Sequence, residues 1–230
     1  MTTRAGCREV DVRLRDGSTV HVCPAKPSDA PAVQLLLQGL SDRSRWLRFF
    51  SAFPDLARAA RWATEVDNDR RYGLVATDER DGRMVGHAGL ERESDHPERA
   101  EVALEVADAL QGKGLGTALL CQLTEAANQL GVQVLDAEVL AENHKMLRVF
   151  RDCGYPIKVH SLPGVQLVEL RTSGAAHPPK TLEPHNQTAC PLTNGRSGAH
   201  DAGAGDGGDQ VRPPPQRSPR RSQRHWTSTG

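Results

Sequence analysis

The sequence predicts a domain of the α/β class, in its α+β form, and three observations carry that expectation. Short alternating runs come in pairs around tight-turn dipeptides, and segments with helical spacing separate those pairs. Near the middle, a strand passes through alternating glycines straight into a helix.

The first pair lies in "VDVRLRDGSTVHVCPA", where Asp16-Gly17 suits the tight turn of a hairpin. Ser28 then stands where it can cap a helix running through "DAPAVQLLLQGL". A second helical segment, "SRWLRFF", and a third, "PDLARAARWATEV" with Pro54 at its start, complete a helical block. Strands resume with "YGLVATD" and "MVGHAGLE", joined by the hairpin signal "ERDGR". In "AEVALEVA" the period of two places Glu101, Ala103 and Glu105 on one face and Val102, Leu104 and Val106 on the other. After the glycines, Leu115, Leu119, Leu123, Ala126 and Leu130 recur at helical spacing until Gly131. A strand "VQVLDAEVL", a helix "ENHKMLRVFRDC" stopped by Gly154, and a closing hairpin of "YPIKVH" with "VQLVEL" follow.

Composition divides the chain. Residues 172–230 hold 8 Gly and 8 Pro among 59 positions with hardly any aliphatic side chains, so they are expected to be disordered, leaving one folded domain at 9–171. Lys plus Arg and Asp plus Glu number 29 each, but the tail takes 7 basic and 4 acidic residues and leaves the first 171 with 22 and 25. A mildly acidic body argues against a folded nucleic-acid-binding domain, and the arginine cluster "RSPRRSQRHW" reads as a solvated tail. The five cysteines, Cys7, Cys23, Cys121, Cys153 and Cys190, are odd in number and contain no C-x-x-C pair, which speaks for neither a disulfide framework nor a zinc site. No apolar run approaches the ~20 residues that span a bilayer. A soluble, cytoplasmic protein without membrane partners is the expectation; the oligomeric state is not legible.

The glycine stretch invites three phosphate-cradling patterns. A P-loop fails because Lys113 lies between glycines. A dinucleotide fingerprint fails because Thr117 or Leu119 occupies its closing position, although Asp136 stands 20 residues beyond Gly116, where a ribose-binding acid is expected. The third pattern, Q/R-x-x-G-x-G/A, is met by Gln111, Gly112, Lys113, Gly114, Leu115 and Gly116. On this motif the sequence resembles the GNAT superfamily of acyl-CoA-dependent N-acyltransferases, over roughly residues 9–171. The resemblance implies a central mixed, mostly antiparallel twisted sheet flanked by helices. It also implies acetyl-CoA as cosubstrate, no metal, and a pyrophosphate received by the backbone of Gln111, Gly112, Lys113, Gly114, Gly116 and Thr117. Unpaired N–H groups and the positive end of a helix suit that anion.

A second motif supports the first. "ENHKMLRVFRDCGY" is similar to the family's helix at Asn143, Met146, Phe150, Gly154 and Tyr155. The resemblance implies that Asn143 touches the pantetheine arm and that Phe150 borders the cofactor, whereas the residue types alone make Asn143 a helix cap and Phe150 a core residue. In relatives the strand before the loop splays from its neighbour, which gives Val106 backbone contacts with the pantetheine and the thioester.

Acyl transfer to an amine needs no covalent enzyme nucleophile, but an ammonium that titrates near pH ~10.4 must first lose a proton. Glu101, Glu105 and His87 are the candidate bases on residue type and face. "RAEVALEVADALQGKGLG" resembles the Pat-type bacterial protein lysine acetyltransferases, and that likeness assigns the base to Glu101, leaving Glu105 and His87 structural or solvent-facing. It also implies a protein lysine as acceptor. Two alternatives stand beside it: a GNAT enzyme acting on a small amine or antibiotic, and a catalytically silent acyl-CoA sensor. Phe150 departs from the tyrosine with which many small-molecule GNAT enzymes protonate the leaving thiolate, and Cys23 stands before Pro24 where relatives often have arginine.

Overall fold

Gly17, at φ 84°, turns the chain between Val10–Arg13 (β1) and Thr19–Pro24 (β2), with Leu14 N–H donating to the Ser18 carbonyl at 2.7 Å. The computed structural model describes residues 9–174 and the backbone of Pro184–His185. Three helices follow: Ala30–Gln38 (α1), Asp42–Phe49 (α2) and Leu56–Thr64 (α3). Their starts differ in detail from the expectation. Ser28 falls inside a 3-10 turn, Pro27–Asp29, so that Asp29 and not Ser28 precedes α1. Ser41 caps α2 through Ser44 N–H, and α3 is capped by Asp55, one residue after Pro54, through Arg58 N–H at 2.9 Å.

The remaining elements are Arg71–Asp78 (β3), Met84–Arg92 (β4), Arg99–Val106 (β5), Leu115–Gln129 (α4), Val134–Leu140 (β6), His144–Asp152 (α5), Ile157–Leu162 (β7) and Val165–Arg171 (β8). The strands form one sheet in the order β7-β8-β6-β5-β4-β3-β2-β1, and the two-residue Pro184–His185 (β9) adds to β1 at its edge. Every adjacent pair is antiparallel except β5 with β6, which are parallel and joined by the crossover through α4. The sheet is thus mixed and mostly antiparallel, flanked by helices on both faces.

Alternation along β5 sorts the two cores. Val102, Leu104 and Val106 join the cluster built with α4 and α5, including Leu115, Leu119, Leu123 and Phe150. Ala103, on the other face, joins Val33, Leu37, Phe49, Trp62 and Ala63 of α1–α3. Close approach explains Gly86, where a Cβ would meet Leu119 Cδ1 of α4 at 3.0 Å. Cys121 of α4 and Cys153 after α5, far apart in sequence, meet as free, buried thiols with Sγ atoms 2.8 Å apart; their mutual hydrogen bond and burial push the Cys153 thiol up.

Thr172 is still packed, its hydroxyl donating to the Val132 carbonyl at 2.6 Å. The rest of the 172–230 segment, and with it the expectation of disorder, lies outside the described residues apart from Gly174, Ser173 and the β9 backbone. Among the described residues no helix is long and apolar enough to cross a membrane.

Candidate active site

The site begins where two strands part. β5 and β6 pair in parallel only at Arg99 with Val134, Ala100 with Leu135 and Glu101 with Asp136. Beyond that point β5 stays with β4 as far as Val106 opposite Gly86, while β6 stays with β8 as far as Leu140 opposite Val165. The facing edges of Val102–Val106 and Ala137–Leu140 therefore have no ladder between them, and a cleft of about 970 Å³ opens there. It is lined by Val102 to Val106, Gly112, Gly114, Gly116, Thr117, Asn143 and Phe150, so most of the residues predicted for cofactor binding meet in one space.

At one mouth lies the glycine loop. Gly112 at φ 76° and Gly114 at φ 100° take a backbone conformation that side chains disfavour, and neither would find atoms closer than 3.8 Å around an added Cβ. Gly116 serves differently: its backbone is ordinary, and a Cβ there would touch Val149, Leu104 and Val106 at 3.4 to 3.8 Å, so it sets the packing of α4 on β5 and α5. The first helical hydrogen bond of α4 runs from Ala118 N–H to the Gly114 carbonyl at 3.0 Å. Among the described residues the amides from Gly112 to Thr117 have no backbone acceptor, which leaves a row of donors at the positive end of a 15-residue helix.

Side chains around the loop divide between the cleft and the frame. Gln111 Nε2 donates to Asp108 Oδ1 at 2.8 Å, Ser44 Oγ at 3.1 Å and the Val106 carbonyl at 3.3 Å, while its Oε1 accepts from Lys145 Nζ at 3.1 Å. Gln111 thus braces the loop against α2 and the end of β5. Lys113 turns outward, its Nζ 2.8 Å from Asp16 Oδ2 on the β1–β2 turn, so only its backbone belongs to the loop. Asn143 caps α5, Oδ1 accepting from Met146 N–H at 3.1 Å, and its NH₂ has no hydrogen-bond partner among the described residues. Phe150 is buried in the core and its ring forms part of the cleft wall.

The helix α2 spans the cleft from the other side. Ser41 N–H donates to Asp108 Oδ2 at 2.7 Å, Arg43 pairs with Glu142 at 3.1 Å, and Trp46 Nε1 donates to the same carboxylate at 3.3 Å. None of Arg15, Ser44, Arg48 or Asp108 was singled out from the sequence, although each lines this cleft. Asp108 lies within the stretch that resembles the Pat-type enzymes and Arg15 adjoins the Asp16-Gly17 turn, but no motif position falls on any of the four, and only the fold brings them together.

Glu101 and Glu105 share a face yet meet opposite environments. Glu105 is sealed in, with Arg48 Nε 2.8 Å from one oxygen and His87 Nδ1 2.8 Å from the other. Burial alone would raise its pKa, but Arg48 and His87 override that and hold it down at about 2. His87 is fully buried, its Nε2 3.2 Å from the Ala63 carbonyl, and Glu105 is buried at the wall of the cleft with both oxygens engaged. Glu101 is half-buried and its carboxylate has no hydrogen-bond partner among the described residues. Burial, opposed by Arg48 and reinforced by Glu138, Glu91 and Glu93, pushes it up to about 7.

Glu101 opens into a second cleft, of about 910 Å³, on the α1–α3 side of the strand junction. Eight carboxylates and three arginines line it, and Ala137 and Glu138 belong to both clefts, so the two meet beside the point where β5 and β6 part. Such a surface attracts cations. Cys23 lies away from both, half-buried on β2 opposite Val75.

This geometry has known counterparts. A family model described as an acetyltransferase (GNAT) domain matches residues 20–156. Acetyltransferase Pat of Mycolicibacterium smegmatis is 30% identical over 148 residues, covering 63% of this chain and 44% of that protein. The mycothiol acetyltransferase of Sanguibacter keddieii is 30% identical over 155 residues, covering 60% of this chain and 48% of that protein. The chain therefore spans about half the length of the curated relatives it matches. The crystal structure of the GNAT domain of S. lividans PAT aligns with a TM-score of 0.64 at 34% identity, over 71% of this chain and 96% of that one.

Proposed function

Because the chain belongs to the GNAT acetyltransferase domain family, we propose that it transfers the acetyl group of acetyl-CoA to a primary amine, foremost a protein lysine side chain, with Glu101 as general base. The observation that carries this reading is the parting of β5 and β6 after Glu101 and Asp136. The cleft that holds the glycine loop and the acid-lined cleft share Ala137 and Glu138 beside that point.

In this reading the diphosphate of acetyl-CoA rests on the amides from Gly112 to Thr117. The pantetheine follows the unpaired edge of β5 past Val106 and the NH₂ of Asn143, alongside Phe150. The thioester then emerges near Ala137, and the amine enters from the acidic cleft as an ammonium. Glu101 takes one of its protons, the neutral nitrogen attacks the thioester carbon, the carbon–sulfur bond breaks, and the nitrogen releases its second proton to water as the amide forms. Phe150 has no proton to give, so the thiolate of coenzyme A departs unaided or takes its proton from water. A carboxylate titrating near neutrality without a fixed partner is matched to proton abstraction at physiological pH, whereas Glu105 is too weak a base and both its oxygens are engaged.

The Pat resemblance and the acidic cleft favour a lysine acceptor. The likeness to a mycothiol acetyltransferase supports a second reading, in which the acceptor is a small amine. Thiol release from acetyl-CoA, followed with lysine-containing proteins and with small amines, separates the two. Turnover with proteins alone is the expected result, turnover with small amines alone establishes the second reading, and uptake of acetyl-CoA without turnover on any acceptor overturns both.

A further inference from the structure

We propose that Arg15, on the turn between β1 and β2, is a binding residue for the diphosphate of coenzyme A, reaching the glycine loop from a part of the chain that neither cofactor motif includes. The inference rests on the reading of the first cleft as a coenzyme A site and deepens it.

Three observations place Arg15 there. Its N–H donates to the Lys113 carbonyl at 3.0 Å, which fastens the hairpin turn to the glycine loop. Its side chain runs beside Gly114, with Nε 3.8 Å and Cγ 3.9 Å from the position that a Cβ would take there, and it lines the cleft. Its guanidinium is exposed and makes no hydrogen bond or ion pair among the described residues. The cation that the motif itself supplies is engaged elsewhere, because Lys113 is held 2.8 Å from Asp16. Asp16 in turn is ionised firmly, its carboxyl lowered by hydrogen bonds from Lys113 and Ser18.

A guanidinium beside the loop amides suits a phosphate ester. Loop amides supply neutral donors to a diphosphate but no formal charge. A guanidinium offers parallel N–H groups that meet two phosphate oxygens at once, adding charge and direction together. Arg15 passes beside Gly114, where a side chain would touch it, and it lines the cleft.

Calorimetric titration with coenzyme A and with 3′-dephospho-coenzyme A tests this on the full chain, using the parent protein, Arg15→Gln, Arg15→Lys and Arg13→Gln. Arg15→Gln is expected to weaken both ligands alike by about tenfold, with Arg15→Lys intermediate, because one charge-assisted contact to the diphosphate is lost. Arg13→Gln removes the same charge from the neighbouring strand and is expected to leave both affinities unchanged. Raising the salt concentration should narrow the gap between parent and Arg15→Gln. Equal affinity of parent and Arg15→Gln overturns the proposal, as does an equal loss in Arg13→Gln. A loss seen with coenzyme A but absent with the dephospho form overturns the diphosphate assignment in favour of the 3′-phosphate. A parent protein that takes up no coenzyme A overturns the cleft reading on which the proposal rests.

Discussion

Replacing Glu101 with glutamine keeps the shape of the side chain and removes its capacity to accept a proton, so it should move activity and stability in opposite directions. For activity, a general base is worth roughly 10² to 10⁴ in rate. With the carboxyl at about 7, kcat/KM of the parent for a lysine acceptor should rise about tenfold per pH unit below 7 and then level off. Glutamine cannot deprotonate an ammonium. The variant can use only amine that is already neutral, and its rate should climb steadily toward pH ~10 with no inflection near 7.

For stability, folding carries this carboxyl from an ordinary value of 4.5 to about 7. Between those values the folded state binds more protons than the unfolded one, so the group's contribution is fully present below pH 4.5, is lost as pH rises through about 7, and is constant above. At about 1.4 kcal/mol per pH unit the cost of ionising it in place is at most about 3 kcal/mol, and partial exposure brings that to about 1–2. Glutamine carries no charge to desolvate. Urea midpoints of the two proteins should therefore agree near pH 4.5, and the variant should be the more stable by that amount at pH 8. A variant that keeps an inflection near 7 with an undiminished plateau refutes the assignment of the base. A variant that loses activity and is also less stable at pH 8 shows that the loss came from damage to the fold.

Three further perturbations follow from the same geometry. Glu105→Gln leaves Arg48 and His87 sealed beside an uncharged group and should cost about 3 kcal/mol at neutral pH in urea unfolding. Because Glu105 is held at about 2, that difference should be complete above pH 4.5 and disappear as pH falls toward 2, and a pH-independent difference would contradict the ion-pair account. Gly114→Val forces a branched residue into φ 100° and puts its methyls beside Arg15, so coenzyme A affinity should drop by more than about tenfold while unfolding shifts by about 1–3 kcal/mol; unchanged affinity would remove the loop from the binding site. Asn143→Ala should lose the α5 cap, about 1 kcal/mol, and raise KM for acetyl-CoA, whereas Asn143→Asp should keep the cap and raise KM alone. Equal KM values for parent and Asp variant would confine Asn143 to its structural role.

What the sequence made legible was whatever depends on neighbours close in the chain. The two faces of β5 follow from a period of two, and the glycine loop follows from residue types at fixed offsets, because φ values of 76° and 100° select glycine wherever they occur. Helix starts depend on more than the residue types at hand. Ser28 and Asp55 are both competent caps, but which residue occupies the capping position depends on whether the preceding turn tightens into a 3-10 form, as it does at Pro27–Asp29.

Strand periodicity does not separate the chemistry of the two glutamates; in the sequence only the resemblance of "RAEVALEVADALQGKGLG" to the Pat-type enzymes singles out Glu101. Glu101 and Glu105 are four residues apart on one face, and alternation treats them as equivalent. Their difference is made by partners from elsewhere: Arg48 arrives 57 positions earlier in the chain and His87 18 positions earlier, and both reach Glu105. Only the ladder to β6 distinguishes the other end of the strand, since it holds as far as Glu101 and then stops. Glu101 is thereby placed at the apex of the opening, buried enough to retain its proton and open enough to exchange it. A strand that stayed paired with β6 to its end would leave the same glutamate on the same face with no route to the glycine loop. The divergence of two backbones, rather than the identity of the acid, is what turns a surface carboxylate into a candidate base.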